Sequence, residues 1–182
     1  MEGAADVSDL GAWLASGYPQ SVRTAYLILG NRLDAEDAVQ EAYLRAWKSR
    51  DSLDNEFSFK PWLYRVVVNS CNSKLRTEIP HRDRRSSADH LDDAMSDDDV
   101  STRFALSHDV FSALGALPAH LRIVVVLRYY ADLSEQEIAV AIGRQPGTVK
   151  SRLHEARRRL AEHPALRSEA SSDSAAIQEA TP

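Results

Sequence analysis

The stretch LSEQEIAVAIGRQPGTVKSRLHEARRRL, residues 133–160, decides the fold of this chain. Ser134 stands three residues before Glu137, which is the spacing of a capping box at the start of a helix. Gly143 then marks the end of a short helical pattern, and a second helical pattern follows at once. Two helices joined by a short turn with glycine are the layout of a helix-turn-helix, a motif of many DNA-binding proteins.

The second helix of this motif is amphipathic, and its polar side is basic. At 100° per residue, one apolar stripe is formed by Val149, Leu153, Ala156 and Leu160. Residues 144–159 contain six Lys or Arg against Glu155 alone. The polar face is therefore predicted to enter the major groove of duplex DNA. The residues expected to contact that DNA are Thr148, Lys150, Ser151, Arg152, His154, Glu155, Arg157 and Arg158.

Within this set the side chains suit different parts of DNA. Ser151, His154 and Glu155 could reach base edges, Glu155 by accepting from a cytosine amino group. The lysine and the arginines, Arg159 included, are better suited to phosphates. Two simpler interpretations stay open: the basic face is merely solvated, or Glu155 pairs with Arg158 or Arg159 at helical spacing.

Composition narrows the class of protein. The chain has 182 residues, a net charge of −5, 43% hydrophobic residues, and a single cysteine, Cys71. These are globular values, and one cysteine allows no internal disulfide. No Cys/His spacing resembles a metal site, so no metal or other cofactor is expected. The first residues lack the pattern of a signal peptide, and no apolar run is long enough to span a bilayer, which predicts a soluble cytoplasmic protein.

The chain divides into two helical modules and two polar segments. Helical apolar spacing runs from Val22 to Leu75 and resumes at Phe104. Between them the sequence is rich in Ser and Asp, including the cluster Asp92 to Asp99, and it ends in a small, acidic tail. Such segments cannot bury enough apolar surface to become ordered. The predicted domains are 1–78 and 104–163, with a flexible linker at 79–103 and a disordered tail at 164–182.

Two further motifs lie in the first module. They are DAEDAVQEAYLRAWK at 34–48 and FSFKPWLYRVVVNSCNSKLR at 57–76. We expect a helix that starts at Asp34 and runs to about Ser49, and another with Pro61 in its first turn. In this order, and followed by the helix-turn-helix, the motifs resemble the bacterial extracytoplasmic-function (ECF) sigma factors over about three quarters of the chain.

The resemblance implies an all-α fold of two small domains, a sigma2-like bundle and a sigma4-like helix-turn-helix. It also implies that the 34–48 helix docks on the clamp helices of the largest subunit of RNA polymerase. The docking residues would be Glu36, Asp37, Gln40, Glu41 and Arg45. Their buried counterparts on the same helix are predicted to be Ala38, Val39, Ala42, Tyr43, Ala46 and Trp47. The alternative is that the polar set is only solvated.

The 57–76 segment, by the same resemblance, lies against the minus-ten promoter element. Asn69 would line a pocket for a flipped base, and the loop from Asp51 to Lys60 would select that base. Aromatic and basic residues suit single-stranded DNA, so the expected contacts are Phe59, Lys60, Trp62, Tyr64, Arg65, Asn69, Lys74 and Arg76. Trp62 and Tyr64 could instead be core residues, because large aromatics dominate helical cores.

The function so implied is that of a sigma factor, which binds core RNA polymerase, recognises promoter DNA and starts transcription, with no active site of its own. An anti-sigma protein is the further partner that the resemblance implies. The alternative is a helix-turn-helix regulator that does not bind polymerase. An enzyme with a metal on the Asp92 to Asp99 cluster is a third class, but such acidic runs are usually solvated.

Overall fold

The structure is a computed structural model, and it describes residues 10–49, 59–78 and 108–166. Within these ranges the chain is helical, with a final helical turn at 164–166. The helices are α1 (Leu10–Leu29), α2 (Arg32–Lys48), α3 (Phe59–Glu78), α4 (His108–Ala116), α5 (Ala119–Tyr129), α6 (Glu135–Ile142) and α7 (Pro146–Glu162). The proposed linker, the Asp92 to Asp99 cluster and most of the proposed tail lie outside the described residues.

Helices α1, α2 and α3 form the first domain and pack on one another. Helix α1 begins at Leu10, well before the helical spacing that the sequence shows from Val22, and it contains Pro19. Helix α2 begins two residues before the predicted Asp34, because Asn31 is its N-cap and accepts from the Asp34 backbone N–H at 3.0 Å. Asp34 instead supplies an acid to the first turn, where it suits the helix dipole.

The second domain consists of α4 to α7 and contains the predicted helix-turn-helix. The capping box is confirmed: the Glu137 N–H donates to Ser134 Oγ at 3.2 Å, and the Ser134 N–H donates to Glu137 Oε2 at 2.8 Å. Gly143 ends α6 with φ 61°, a left-handed conformation that glycine adopts without strain. Helix α7 buries the predicted stripe against α5 and α6, which turns its basic face outward.

The two domains are in contact with each other. Helix α6 packs on α3 and α5 packs on α1, so that the buried residues of both domains form one continuous apolar cluster. The two-domain, all-helical fold is confirmed, but the sequence predicted two separate cores rather than adjoining ones. The predicted basic helix nevertheless keeps its polar face exposed, as DNA binding requires.

Arg122 of α5 lies in this domain interface. Its Nη1 donates to the Ile28 carbonyl at the end of α1, at 2.9 Å. Its Nη2 donates to the carbonyls of Gly115 and Leu117 at the end of α4, each at 3.1 Å. Burial lowers the pKa of Arg122 from its ordinary value. Nearby, the rings of Tyr26 and Phe111 stack across the interface with their centroids 5.2 Å apart.

Candidate functional site

Helix α7 carries the predicted reader of duplex DNA. Lys150, Ser151 and His154 are exposed on it, and in the described part of the chain Lys150 and His154 form no side-chain hydrogen bond or ion pair. Ser151 Oγ donates to the Thr148 carbonyl at 3.0 Å, which leaves its lone pairs facing solvent. Arg152 and Thr148 are half-buried at the edges of the same face. The predicted contact residues therefore form one continuous outward surface.

Glu155 is not a free acceptor on that surface. Its Oε1 accepts from Arg158 Nη2 at 2.9 Å and from Arg159 Nε at 2.7 Å, while its Oε2 accepts from Arg158 Nε at 3.1 Å. These donors lower the pKa of Glu155 to about 2, so the carboxylate stays ionised. The pairing that the sequence left open is thus present, and a cytosine amino group would compete with two arginines for this carboxylate. The base contact by Glu155 stays a prediction.

Arg157 is held by a residue that the sequence analysis missed. Its Nε donates to the Tyr129 hydroxyl at 2.8 Å, and its guanidinium lies 5.9 Å from the Tyr129 ring centroid. Tyr129 is 61% exposed. An aromatic residue at the end of a largely apolar helix, next to a basic helix, is a signal that could have identified it.

Helix α3 separates the predicted minus-ten residues into a buried group and an exposed group. Tyr64 is 3% exposed and hydrogen-bonds to the Thr24 side chain, and burial raises its pKa to about 12. It is a core residue, which corrects its assignment as a stacking platform. Phe59 and Trp62 are half-buried, with ring centroids 5.3 Å apart. They flank the exposed side of the helix rather than forming the core.

The exposed side of α3 presents Arg65, Asn69 and Arg76. At 100° per residue these three lie within about 40° of one another, so they share one face. Lys60 is half-buried and its charge acts on Glu137 of α6. Lys74 is half-buried and its Nζ lies 3.1 Å from Asp37 Oδ2 of α2. Two of the predicted strand-binding cations are therefore already facing carboxylates.

Arg65 also lines a groove between the domains. The groove has a volume of about 750 Å³, and its opposite wall is α6 and the turn into α7, including Val140, Gly143 and Arg144. The minus-ten face of α3 and the helix-turn-helix are thus neighbours in this structure. Most of the loop predicted to select the flipped base, Asp51 to Lys60, lies outside the described residues.

Helix α2 presents an exposed apolar stripe beside the predicted docking residues. Leu33, Leu44 and Trp47 are 73%, 62% and 46% exposed, and their spacing places them within about 60° of one another around Gln40. Trp47 was predicted to be buried, and this prediction was wrong. Leu33 and Leu44 were missed, although leucines at helical spacing on the polar side of a helix are a sign of a binding surface.

The charged residues of the docking set flank this stripe. Arg32 Nε lies 2.8 Å from Glu36 Oε1, and Arg45 Nη2 lies 2.6 Å from Glu41 Oε1. Gln40 is exposed and, with Tyr18, Tyr43 and Leu44, lines a shallow pocket of about 350 Å³. The predicted docking residues are brought together on one helix face, around apolar side chains that water solvates poorly.

Comparisons with known proteins match each domain. The family model described as Sigma-70 region 2 matches residues 14–78, and the one described as Sigma-70, region 4 matches residues 107–160. The ECF RNA polymerase sigma factor SigW of Bacillus subtilis is 32% identical over 145 residues, which are 74% of this chain and 78% of that protein. This chain belongs to the ECF sigma factors.

Further relatives of this ECF sigma factor agree. The ECF RNA polymerase sigma-E factor of Escherichia coli strain K12 is 30% identical over 134 residues, covering 68% of this chain and 70% of that protein. Among solved structures, the sigma factor RpoE of Bartonella quintana, in complex with the anti-sigma factor NepR, matches with a TM-score of 0.69 and 28% identity. That match covers 87% of this chain and 97% of the other.

A second solved structure supports the fold alone. CnrH, in complex with the cytosolic domain of CnrY, matches with a TM-score of 0.61 and 22% identity over 87% of this ECF sigma factor and 88% of that chain. The region 2 match covers α2 and α3, and the region 4 match covers α4 to α6 and most of α7. The exposed faces of α2, α3 and α7 therefore lie inside the family domains.

The described residues contain neither a candidate membrane-spanning helix nor a candidate metal site. Over residues 10–49, 59–78 and 108–166, none of the helices combines the length and the apolar character needed to cross a bilayer. The same ranges hold no group of three or more His, Cys, Asp or Glu side chains that could bind a metal ion.

Proposed function

We propose that this ECF sigma factor docks on core RNA polymerase through α2, binds the minus-thirty-five duplex through α7, and captures the opened minus-ten strand through α3. The single observation that carries the proposal is the presence of three separate exposed faces, one apolar and two basic, within the two family domains. A repressor-type regulator would need the α7 face but not the other two.

The α2 face suits a helical partner. Leu33, Leu44 and Trp47 form an apolar stripe with charged pairs on either side, which is the pattern of a helix that packs against other helices. Apolar residues at the centre of an interface supply most of its affinity, while flanking charges select the partner. This supports docking on the clamp helices of the polymerase largest subunit by Glu36, Asp37, Gln40, Glu41 and Arg45, together with the stripe.

The α7 face suits the major groove. Ser151 and His154 point outward at the middle of the exposed face, where base edges would be reached. Lys150 and Arg152 flank them and suit phosphates, as does Arg157 in the position where Tyr129 holds it. The proposed minus-thirty-five contacts are therefore the residues of α7 that the sequence predicted, and Glu155 contributes by holding Arg158 and Arg159 in position.

The α3 face suits an unpaired strand. Asn69 offers an amide with a donor and an acceptor, which can pair with the edge of a flipped base. Arg65 and Arg76 on the same face can follow the strand backbone, and Trp62 and Phe59 lie at its edge for stacking. Lys60 and Lys74 can take part after they leave the carboxylates that they now face.

An anti-sigma protein is the further partner that we propose. A similar solved structure is that of the sigma factor RpoE of Bartonella quintana in complex with the anti-sigma factor NepR. A protein that covers the α2 stripe or the α7 face would keep this chain from polymerase or DNA. Catalysis stays with the polymerase, and the protein acts in the cytoplasm, where that enzyme works.

The test is transcription in vitro with purified core polymerase and a library of promoter fragments, followed by sequencing of RNA 5′ ends. The wild-type protein should create start sites that share two upstream elements. Asn69→Ala should lower their yield at least tenfold, which corresponds to about 1.4 kcal/mol. Ser151→Ala should change preference at one minus-thirty-five position, and Ser112→Ala, on α4, should change neither. The absence of new start sites with the wild-type protein would refute the proposal.

A further inference from the structure

We propose that the free protein rests in a closed form in which Arg122 latches the second domain onto the first, and that promoter binding requires this latch to open. This inference rests on the proposed function in one respect, because it is the spacing of the two promoter elements that makes opening obligatory. The closed form itself follows from contacts in the free chain.

The first observation is what Arg122 binds. The last carbonyls of a helix have no partner within the helix and carry a partial negative charge. Neither α1 nor α4 has a basic residue in its last turn. Arg122 places a cation at the end of both helices. One of its amino groups donates to the Ile28 carbonyl of α1, and the other donates to the carbonyls of Gly115 in α4 and of Leu117 just after it. One guanidinium thus ties the two domains together.

The second observation is that other contacts reinforce the latch. Tyr26 of α1 stacks on Phe111 of α4 at 5.2 Å, and Arg23 of α1 hydrogen-bonds to Tyr130 at the end of α5. The charge of Lys60 on α3 acts on Glu137 of α6. These contacts join different pairs of helices, so the interface between the domains consists of several separate contacts and does not depend on Arg122 alone.

The third observation is that the latch is incomplete. Arg122 Nε is buried, and in the described part of the chain it has no acceptor. A buried donor without a partner carries a desolvation cost that disappears when the group returns to water. The closed form is therefore stabilised by two amino groups of Arg122 and opposed by the third nitrogen, which suits an interface that must be able to separate.

The promoter makes separation necessary. Elements centred near positions minus ten and minus thirty-five lie about 25 base pairs apart, which is ~85 Å along B-DNA at 34–36 Å per turn. Helix α3 is in contact with α6, the partner of the recognition helix α7. The closed form can therefore not hold both elements at once. The 29 residues from 79 to 107 could span about 100 Å if fully extended, so the chain length permits the open form.

Because only open molecules can bind the promoter, the apparent promoter affinity is proportional to the fraction of molecules that are open. The apparent dissociation constant of a protein rises as its binding-competent fraction falls. A partner that binds the open or the closed form would therefore set activity through this equilibrium, without touching a DNA-binding residue. If the domains separate, the two walls of the groove at Arg65 separate as well.

The test measures the distance between the domains in the free, full-length protein. Spin labels are attached at Gln20→Cys on α1 and Ala161→Cys in the last turn of α7, two exposed positions that are not among the proposed contact residues. The native Cys71 is fully buried and will not compete for the label. Double electron–electron resonance should give one narrow distance for the otherwise wild-type chain.

Arg122→Met removes the donors and keeps the apolar stem. It should move at least half of the distance distribution to longer values. The matched control is Arg128→Met, because Arg128 Nη1 makes an equivalent bond to the Leu133 carbonyl, at 2.9 Å, but within the second domain. Arg128→Met should keep the narrow wild-type distance.

A second variant separates opening from unfolding. Arg122 also binds the end of α4, so its loss could loosen the second domain itself. Tyr26→Ala removes the stacking from the first domain and leaves the second intact, and it should also lengthen the distance. A wild-type distribution that is already broad, or an Arg122→Met distribution equal to that of Arg128→Met, would overturn the latch. Neither polymerase nor DNA is present, so this outcome is independent of the proposed function.

Discussion

Glu155 shows at the scale of one residue why a helical face cannot be assigned from its sequence alone. Its position on the outward side of α7 is compatible both with a base contact and with local ion pairs. The structure has it between Arg158 and Arg159, whose donors lower its pKa to about 2. The spacing to both arginines was visible in the sequence, but the rotamers that bring both guanidinium groups to the carboxylate were not.

Replacing Glu155 by Gln should therefore strengthen binding to nonspecific duplex. The change removes a negative charge and frees Arg159 for a phosphate, while Arg158 stays paired with Glu162. The slope of log affinity against log salt should therefore steepen by about one. Fluorescence anisotropy over a salt series measures this. The control is Glu135→Gln, which removes the same charge from α6. Loss of preference at one base pair, with the salt slope unchanged, would show instead that Glu155 reads a base.

Tyr64 is the second residue whose environment decides its role. Its ring is in the core and its hydroxyl is bonded to Thr24, so its substitution should affect stability rather than strand binding. Tyr64→Phe should cost about 1 kcal/mol of unfolding free energy. Tyr64→Ala should cost about 4 kcal/mol, as for other large aromatics in cores. Urea titration checks both values, and a stable Tyr64→Ala protein with weak strand binding would contradict this assignment.

Helix α2 shows which features of a single helix could be predicted from its sequence and which could not. The sequence predicted its existence and its polar docking residues, but placed Trp47 inside and overlooked Leu33 and Leu44. The reason is that its small alanines, at 35, 38, 42 and 46, already fill the space against α1 and α3. Larger residues on other faces are then left outside, and periodicity alone does not reveal how wide the buried stripe is.

The exposed stripe of α2 should contribute more to polymerase binding than the charges beside it. Leu44→Glu places a charge at its centre and should weaken binding to core polymerase at least tenfold, with an unchanged melting temperature. Val140→Gln is the control, because Val140 is a similarly exposed apolar residue, 45% accessible, on α6. Equal affinities of the two variants, measured by competition with labelled wild-type protein, would remove the stripe from the docking surface.

The start of α6 was the most predictable part of the site, because a capping box is a local feature with few alternatives. Ser134→Ala should cost about 1 kcal/mol of stability and weaken duplex binding in proportion. The bonds from Ser134 lower the pKa of Glu137, so their stabilisation is present above the ordinary glutamate range and is lost as pH falls below it. Ser134→Ala keeps the backbone N–H that donates to Glu137, so the variant for this test is Glu137→Gln, which cannot ionise. Thermal melts between pH 7 and pH 3 should show a smaller acid-side loss for Glu137→Gln than for the wild type.

In the whole molecule, the way in which the two domains meet could not be predicted from local sequence patterns. Helical periodicity and capping are local, whereas the hydrogen bond of Arg122 to Ile28 and the stacking of Tyr26 on Phe111 join positions far apart in the chain. An arginine in an apolar run, such as Arg122 in α5, was an available hint, because an arginine is rarely buried without partners. Its partners are backbone carbonyls, which no sequence pattern marks.

Whether the protein is a subunit of RNA polymerase or a separate regulator can be measured by titrating purified core enzyme with the labelled protein in the absence of DNA, with sedimentation or anisotropy as the readout. We expect saturation at one molecule per core enzyme and weaker binding for Leu44→Glu. Salt-sensitive binding to duplex DNA, together with no binding to core enzyme, would contradict this expectation and would identify a helix-turn-helix regulator.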